Sequence, residues 1–553
     1  MFSLHNILGN KPDHPMFSVE EAKYLLADLP QNDPLKALDE ITAWLTTIKD
    51  ATGFKPERRA DVIMLLDETG QALYAQLLNQ YLATPHLQDF QGMHLWRGLQ
   101  NFMLALADAY AACTQNFQQE DKVPLAFRAQ MPLICVRLLR AVAEQMKLQL
   151  MRYEDVEPAV WQQLYEHYSF AKANQFAYTP VIAYPAEAIQ IGPHKELLRA
   201  LVLYISSTDT LAPNHIEASY HIAIRLVSQF ELKEVRDADC THFIDLALPE
   251  APRQLYDELP STPTMRFFGA TKALPKVADI IHQYEHGIAG QDMRFSSEFT
   301  PDGKLTVLKH LRRYWAKTLP HRLHERKTIM NTIDVVHGFN AIGQLVTGID
   351  LNKLLNLSEE DAAMLQKRSA VILAGEDVQH ATETWDVLNV SSSGLGGVLP
   401  KTAGAWIKIG DLCGIRAKGR DSWWVGTIRR LKTDAQGQVQ FGMEILSRKP
   451  LSLWLRSLAK GQGKDKGKDV ELLPDWEASS GSFAYNYLPA LLLPDDQDSY
   501  LNATLLIESG KFVTNHIHEA LVGEQSRTIK LTGLLAEGED YEQASLEWID
   551  PVH

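Results

Sequence analysis

Two short clusters of polar residues concentrate the chemistry of this 553-residue chain. The segment Arg322, Leu323, His324, Glu325, Arg326 sets two guanidinium groups four residues apart, directly after Pro320. Further on, Asn389, Val390, Ser391, Ser392, Ser393, Gly394 brings together an amide, a hydroxyl and a glycine bend. Arginine stays charged at any relevant pH and presents a planar fork of donors, so it pairs with phosphate or with the O6 and N7 edge of guanine, and stacks on a base. Asn389 can both donate and accept, Ser391 adds a hydroxyl, and Gly394 lets a backbone come close. A ligand carrying phosphates and guanines would use all of these groups. Losing one arginine contact of this kind is expected to cost about 1–3 kcal/mol, or roughly tenfold or more in affinity.

Other patterns carry less. His282, Glu285 and His286 form an HxxEH, the helical spacing of one class of zinc site, but no third ligand accompanies it, so no metal and no cofactor are expected. Arg416, Lys418, Arg420, Trp423, Trp424, Arg429 and Arg430 mix cations with aromatics as single-strand binders do. Alternation along a strand accounts for them more simply, with one tryptophan turned inward and the other outward. The phosphate-binding GxxxxGK[ST] is missing, and Gly394–Gly397 runs into Val-Leu-Pro rather than opening a helix. With no nucleophile beside a base and no paired catalytic carboxylates, the expectation is a protein that is not an enzyme.

The elements that must hold these residues follow from periodicity. From about Ser18 to Phe230 apolar residues recur at helical spacing. Ser18 with Glu21 has capping-box spacing, and Asp33 precedes a proline at the first helical position. Leu95, Leu99, Phe102, Leu104 and Leu106 are expected on one buried face. Between about Gln175 and Thr271 short β-like stretches interrupt the helices, and a last helix is expected to run to Pro320. Beyond it the texture is that of short strands, TIMNTIDVV, TWDVLNV, AWIKIGDLCGIRA, SWWVGTIRRL and QVQFGMEIL, interrupted by a helical stretch at about 342–373. The run Ala459–Asp469 is rich in Gly, Lys and Asp and reads as a linker. After it ALLLP, NATLLIE, KFVTNHI, RTIKLTGLL and ASLEWI again read as strands. The fold class expected is α+β and multidomain: 1–180 an α-helical domain, 181–318 a mostly helical second subdomain, 319–450 a β-barrel with the helical insertion, and 470–553 a C-terminal β extension or small β unit.

The order RxxxR, strand, NxSxxG, then strands carrying IGDLCGIRA, WWVGTIRRL and FGMEIL resembles the PilZ domain family of cyclic di-GMP receptors, over about Leu319 to Pro450. The resemblance implies an antiparallel β-barrel and a ligand site made of Arg322, Arg326, Asn389, Ser391 and Gly394, with His321 at an accessory position. It also implies a bacterial receptor that relays second-messenger level to a protein partner through the N-terminal helical region, in the control of motility, adhesion or exopolysaccharide. The alternative is a degenerate barrel or protein-interaction adaptor that binds no nucleotide.

Composition bounds the partners. A formal net charge of -15 disfavours wholesale binding of nucleic-acid polymers. The four cysteines form no CxxC pair and suit a reducing compartment. No apolar run is long enough to cross a bilayer and no basic-apolar leader opens the chain, so no membrane insertion and a cytoplasmic location are expected.

Overall fold

The computed structural model describes residues 13–83, 90–288, 301–319, 325–346, 382–400, 403–404, 406–434, 436–457, 487–494, 502–522 and 525–549. The chain divides into two compact units, one of Met1–Arg322 with Gly404–Trp406 and Lys432–Gly437, the other of Leu323–Ala403, Ile407–Leu431 and Gln438–His553.

The first unit is built on helices α1 (Val19–Ala27), α2 (Pro34–Ile48), α3 (Pro56–Ala83), α4 (Phe90–Gln119), α5 (Leu125–Met151), α6 (Pro158–Ala173), α7 (Pro193–Tyr204), α8 (Pro213–Arg225), α9 (Leu274–Glu285) and α10 (Pro301–Tyr314). Ser18 Oγ accepts from Glu21 N (3.3 Å) and Asp33 Oδ1 from Lys36 N (3.0 Å), so both caps form where the sequence signals them. A two-stranded hairpin, β1 (Val181–Ile182) with β2 (Gln190–Ile191), and a three-stranded sheet, β3 (His242–Asp245), β4 (Arg253–Gln254) and β5 (Met265–Phe268), occupy the interrupted region. One hydrophobic cluster runs from Met16 to Trp315. On α4, Leu99, Phe102 and Leu106 are buried and Leu95 is partly so, whereas Leu104 is 44% exposed, because it falls on the opposite side of the turn from that stripe. Helix α10 stops at Tyr314, short of Pro320. Trp315, whose N–H still donates to Leu311 O (2.8 Å), buries its ring and donates from Nε1 to Ser206 Oγ (2.8 Å).

A line of ions runs through this apolar interior. Helix α5 carries Arg137, Arg140, Glu144 and Lys147 at helical spacing, all buried. Arg137 reaches Asp67 Oδ2 (3.4 Å) and Glu68 Oε1 (2.6 Å); Arg140 Nε donates to Glu196 Oε1 (2.9 Å); Lys147 Nζ sits 2.6 Å from both Glu144 and Glu217. Burial pushes the Asp67 carboxyl up, opposed by Arg137 and by donors from Tyr110, Gln71 and Tyr184. Burial also acts to raise Glu217, but Lys147 and His221 outweigh it and hold that carboxyl at about 2.

The second unit contains two closed antiparallel barrels. The first is made of β6 (Lys327–His337), β7 (Glu383–Val390), β8 (Gly394–Val398), β9 (Leu412–Ala417), β10 (Trp424–Thr433) and β11 (Val439–Ser447), in the order β10-β11-β8-β7-β6-β9. The second is made of β12 (Leu451–Ser457), β13 (Tyr487–Leu493), β14 (Thr504–Glu508), β15 (Ile517–Val522), β16 (Gln525–Glu537) and β17 (Tyr541–Trp548), in the order β12-β13-β14-β17-β16-β15. The winding is the same in both: three strands lie side by side in chain order and the other three return in reverse. In the second barrel Ala490, Leu492, Leu505 and Ile507 point inward, while Leu491, Leu493 and Leu506 pack outward against Val336, Ile342, Leu412 and Val425 of the first. Strands buried on both faces read as continuous apolar runs, which explains ALLL and TLLI. The chain enters β15 only at Ile517, so most of KFVTNHI, expected as a strand, is turn, with Asn515 at φ 63° and its N–H on Leu531 O (2.7 Å). Between β6 and β7 the chain forms α11 (Phe339–Val346), whose first N–H donates to Asp540 Oδ2 (2.5 Å) from the β16–β17 turn. The helical stretch expected at about 342–373 thus begins earlier, and beyond Val346 it lies outside the described residues.

Candidate functional site

The ladder between β6 and β7 determines what the two sequence clusters can do together. Lys327 pairs with Val390 and Thr328 with Asn389. Extending each strand by one residue sets Arg326 beside Ser391, so the second arginine of the RxxxR and the NxSxxG turn meet at one mouth of the first barrel. The insertion leaves at His337 and returns at Glu383, which pairs near Val335 at the far end of the same ladder. Arg326 is exposed. Arg322 and His321 lie outside the described residues.

The turn itself is tight. Ser391 N donates to Gly394 O at 2.7 Å and Ser391 Oγ lies 3.2 Å from the same oxygen. Ile445 N donates to Ser393 O (2.9 Å), tying the turn to β11. Gly394 is required by its neighbour rather than by its φ: a Cβ there would lie 2.5 Å from the Met443 carbonyl oxygen. At Gly397 the approach is closer still, 1.9 Å from Asp386 O. Asn389 lies over Gly396, whose missing Cβ leaves room for its amide; the Asn389 Oδ1 atom is buried and accepts no hydrogen bond among the described residues. An orphaned buried acceptor costs about 1–3 kcal/mol, so this oxygen calls for a donor from outside the protein, water or ligand.

Neighbouring strands complete the mouth. Trp423 is 9% exposed and packs outside the barrel wall, in the cluster with Val336, Phe339 and Ile342 that faces the second barrel, with Arg416 over its ring at 4.7 Å; Trp424 is partly exposed. Arg416 also pairs with Asp334 (2.8 Å), and Arg429 with Glu444 (2.6 Å), so two cations of the basic and aromatic cluster are engaged within the barrel wall. Arg448, which the sequence does not single out, lies over Trp424 at 5.3 Å and donates from Nη2 to the Ser392 carbonyl. No spacing rule marks it, because β11 ends just before it and the turn it touches lies 56 positions away in sequence.

The HxxEH has other contacts. His282 and His286 stack with ring centroids 4.1 Å apart, His286 Nδ1 lies 2.8 Å from His282 O, and Glu285 pairs with Lys309 (2.8 Å). Among the described residues no group of three or more His, Cys, Asp or Glu is arranged to hold a metal, and no helix is long and apolar enough to cross a membrane.

Residues 20–237 match the family described as cyclic-di-GMP receptor FimW, N-terminal domain. The match covers α2 to α8 and most of α1 in the helical unit and stops well short of the barrels. No curated protein matches the chain. The similarity is therefore independent of the RxxxR and NxSxxG residues, none of which it includes.

Proposed function

We propose that this protein is a receptor for cyclic di-GMP, bound at the mouth of the first barrel, which acts as a PilZ domain. Arg326, with Arg322 four residues before it in sequence, would pair with phosphate or the guanine edge; Asn389 and Ser391 would bond the base or ribose; Gly394 keeps the turn close to β11. The observation that carries this reading is the β6–β7 register, which sets Arg326 beside the Asn389–Gly394 turn. Two supports are independent of it: the unpaired Asn389 oxygen, and the similarity of the helical unit to the N-terminal domain of a family described as a cyclic-di-GMP receptor.

The chain would act as a bacterial, cytoplasmic signal receiver rather than an enzyme, passing ligand occupancy to a protein partner through the helical unit, in motility, adhesion or exopolysaccharide control. Because the RxxxR segment leads into β6, ligand engagement there would act on the chain just where the barrel begins. Calorimetric titration with cyclic di-GMP tests the reading. Wild type should bind saturably, and Arg326→Ala and Asn389→Ala should each weaken binding about tenfold or more. Saturable binding that neither substitution weakens would exclude this site.

A further inference from the structure

The order of strands around the first barrel puts a second arginine across the turn from Arg326. Going round the wall, β6, β7, β8 and β11 are successive neighbours. Arg326 precedes the start of β6, the Ser391–Gly394 turn joins β7 to β8, and Gly394 pairs with Glu444 near the end of β11, so the residues after Ser447 emerge at the same mouth. Arg448 is the first of them. Its guanidinium bonds the Ser392 carbonyl in the middle of the turn and rests on the Trp424 ring at 5.3 Å. Guanidinium carries five N–H donors, and a carbonyl together with an aromatic face leaves most of them available while fixing the plane of the group. A side chain held in this way loses little freedom when it takes up an anion.

We propose that Arg448 is a direct ligand contact: one guanidinium on each side of the turn, Arg326 and Arg448, addresses the two phosphate-guanine halves of a cyclic dinucleotide. This rests on the site proposed above. It carries a mechanical consequence, because β11 ends at Ser447 and β12 begins at Leu451, so that Arg448, Lys449 and Pro450 are the chain connection between the barrels. A ligand that takes hold of Arg448 takes hold of that link.

The test is titration of the full chain with cyclic di-GMP at several salt concentrations, for wild type, Arg326→Ala, Arg448→Ala and Arg448→Lys, with ligand-induced tryptophan emission followed alongside in wild type, Arg448→Ala and Trp424→Phe. Arg448→Ala should weaken binding about tenfold or more and lower the salt dependence of log K, as the loss of a charge contact with phosphate does and the loosening of a turn does not. Arg448→Lys should recover the salt dependence without recovering full affinity, since a point charge replaces a fork. The emission change should vanish in Trp424→Phe and shrink in Arg448→Ala. If Arg448→Ala binds as wild type while Arg326→Ala is weakened, Arg448 only braces the turn, and this inference fails while the site stands. If wild type does not bind, the site fails with it.

Discussion

Replacing Asn389 by leucine should make the protein more stable and deaf to its ligand. The Asn389 Oδ1 atom is buried without a hydrogen bond among the described residues, above a glycine that gives the amide room. A buried unpaired acceptor costs about 1–3 kcal/mol, while an apolar group of similar shape at the same place costs nothing in lost hydration. Leucine nearly matches asparagine in outline, and Trp385 and Val387 on the same strand already line an apolar interior. A net gain of about 1–2 kcal/mol is expected, which for a unit of this size corresponds to a rise in melting temperature of roughly 2–4 °C for each kcal/mol. Binding should fall about tenfold or more in the same variant, because leucine neither donates nor accepts. Thermal melts by circular dichroism and calorimetric titration of one preparation measure both effects. A variant that melts below wild type would show that the oxygen is satisfied in solution, by ordered water for instance, and the argument that this position stores an unmet acceptor would be wrong.

Other expectations follow from the same geometry. Gly397→Ala forces a Cβ to within 1.9 Å of Asp386 O and should lower the melting temperature and abolish binding by displacing β8 from β7, whereas Gly343→Ala, with open space around it on α11, should be neutral or slightly stabilising in the same assay. Lys147→Met leaves Glu144 and Glu217 facing one another in the helical core and should cost about 3–5 kcal/mol at neutral pH. Because Glu217 loses the ammonium that holds its carboxyl down while burial still acts to raise it, that variant alone should regain stability as pH falls from neutral towards the ordinary carboxylate range; a loss that does not depend on pH would contradict the pairing. His518, 5% exposed, is lowered to about 4 by burial and then by His516. The unfolded chain takes up that proton first, so stability present above pH 6.5 is lost as pH falls towards 4, by about 3 kcal/mol for this group. His518→Leu should flatten that slope in melts recorded across the window, and an unchanged slope would assign it elsewhere.

The sequence discloses local features and withholds those that depend on distant partners. Ser18 and Asp33 are legible as caps because capping is decided within four residues. The alternation of TWDVLNV is legible because Trp385 and Val387 need only one buried face. Strand β8 is not, since Gly394, Gly396 and Gly397 lower β propensity; they form a strand because β7 and β11 approach too closely for any side chain. The line Arg137, Arg140, Glu144, Lys147 looks like the wet side of a helix, and its burial becomes evident only with the acids that α3, α7 and α8 bring from 56 to 70 positions away. At the mouth of the barrel, residue types and spacing suggest the chemistry of Asn389, Ser391 and Gly394. Their meeting with Arg326 depends on a strand register that spacing alone does not fix.

Two barrels of one winding, joined by Arg448, Lys449 and Pro450, present the folding chain with a problem of self-recognition. Each strand of the first has a counterpart in the second at the same place in the circuit, and tandem units of this kind misassemble by exchanging equivalent strands, within one molecule or between two. Divergence in composition works against the exchange: the glycine-rich β8 would leave an empty wall where Leu505 and Ile507 of β14 fill the second interior, and β14 would collide with β7 and β11 in the first. The likeness of the two barrels is thus confined to their connectivity, and the mismatch of their side chains keeps each circuit closed on itself.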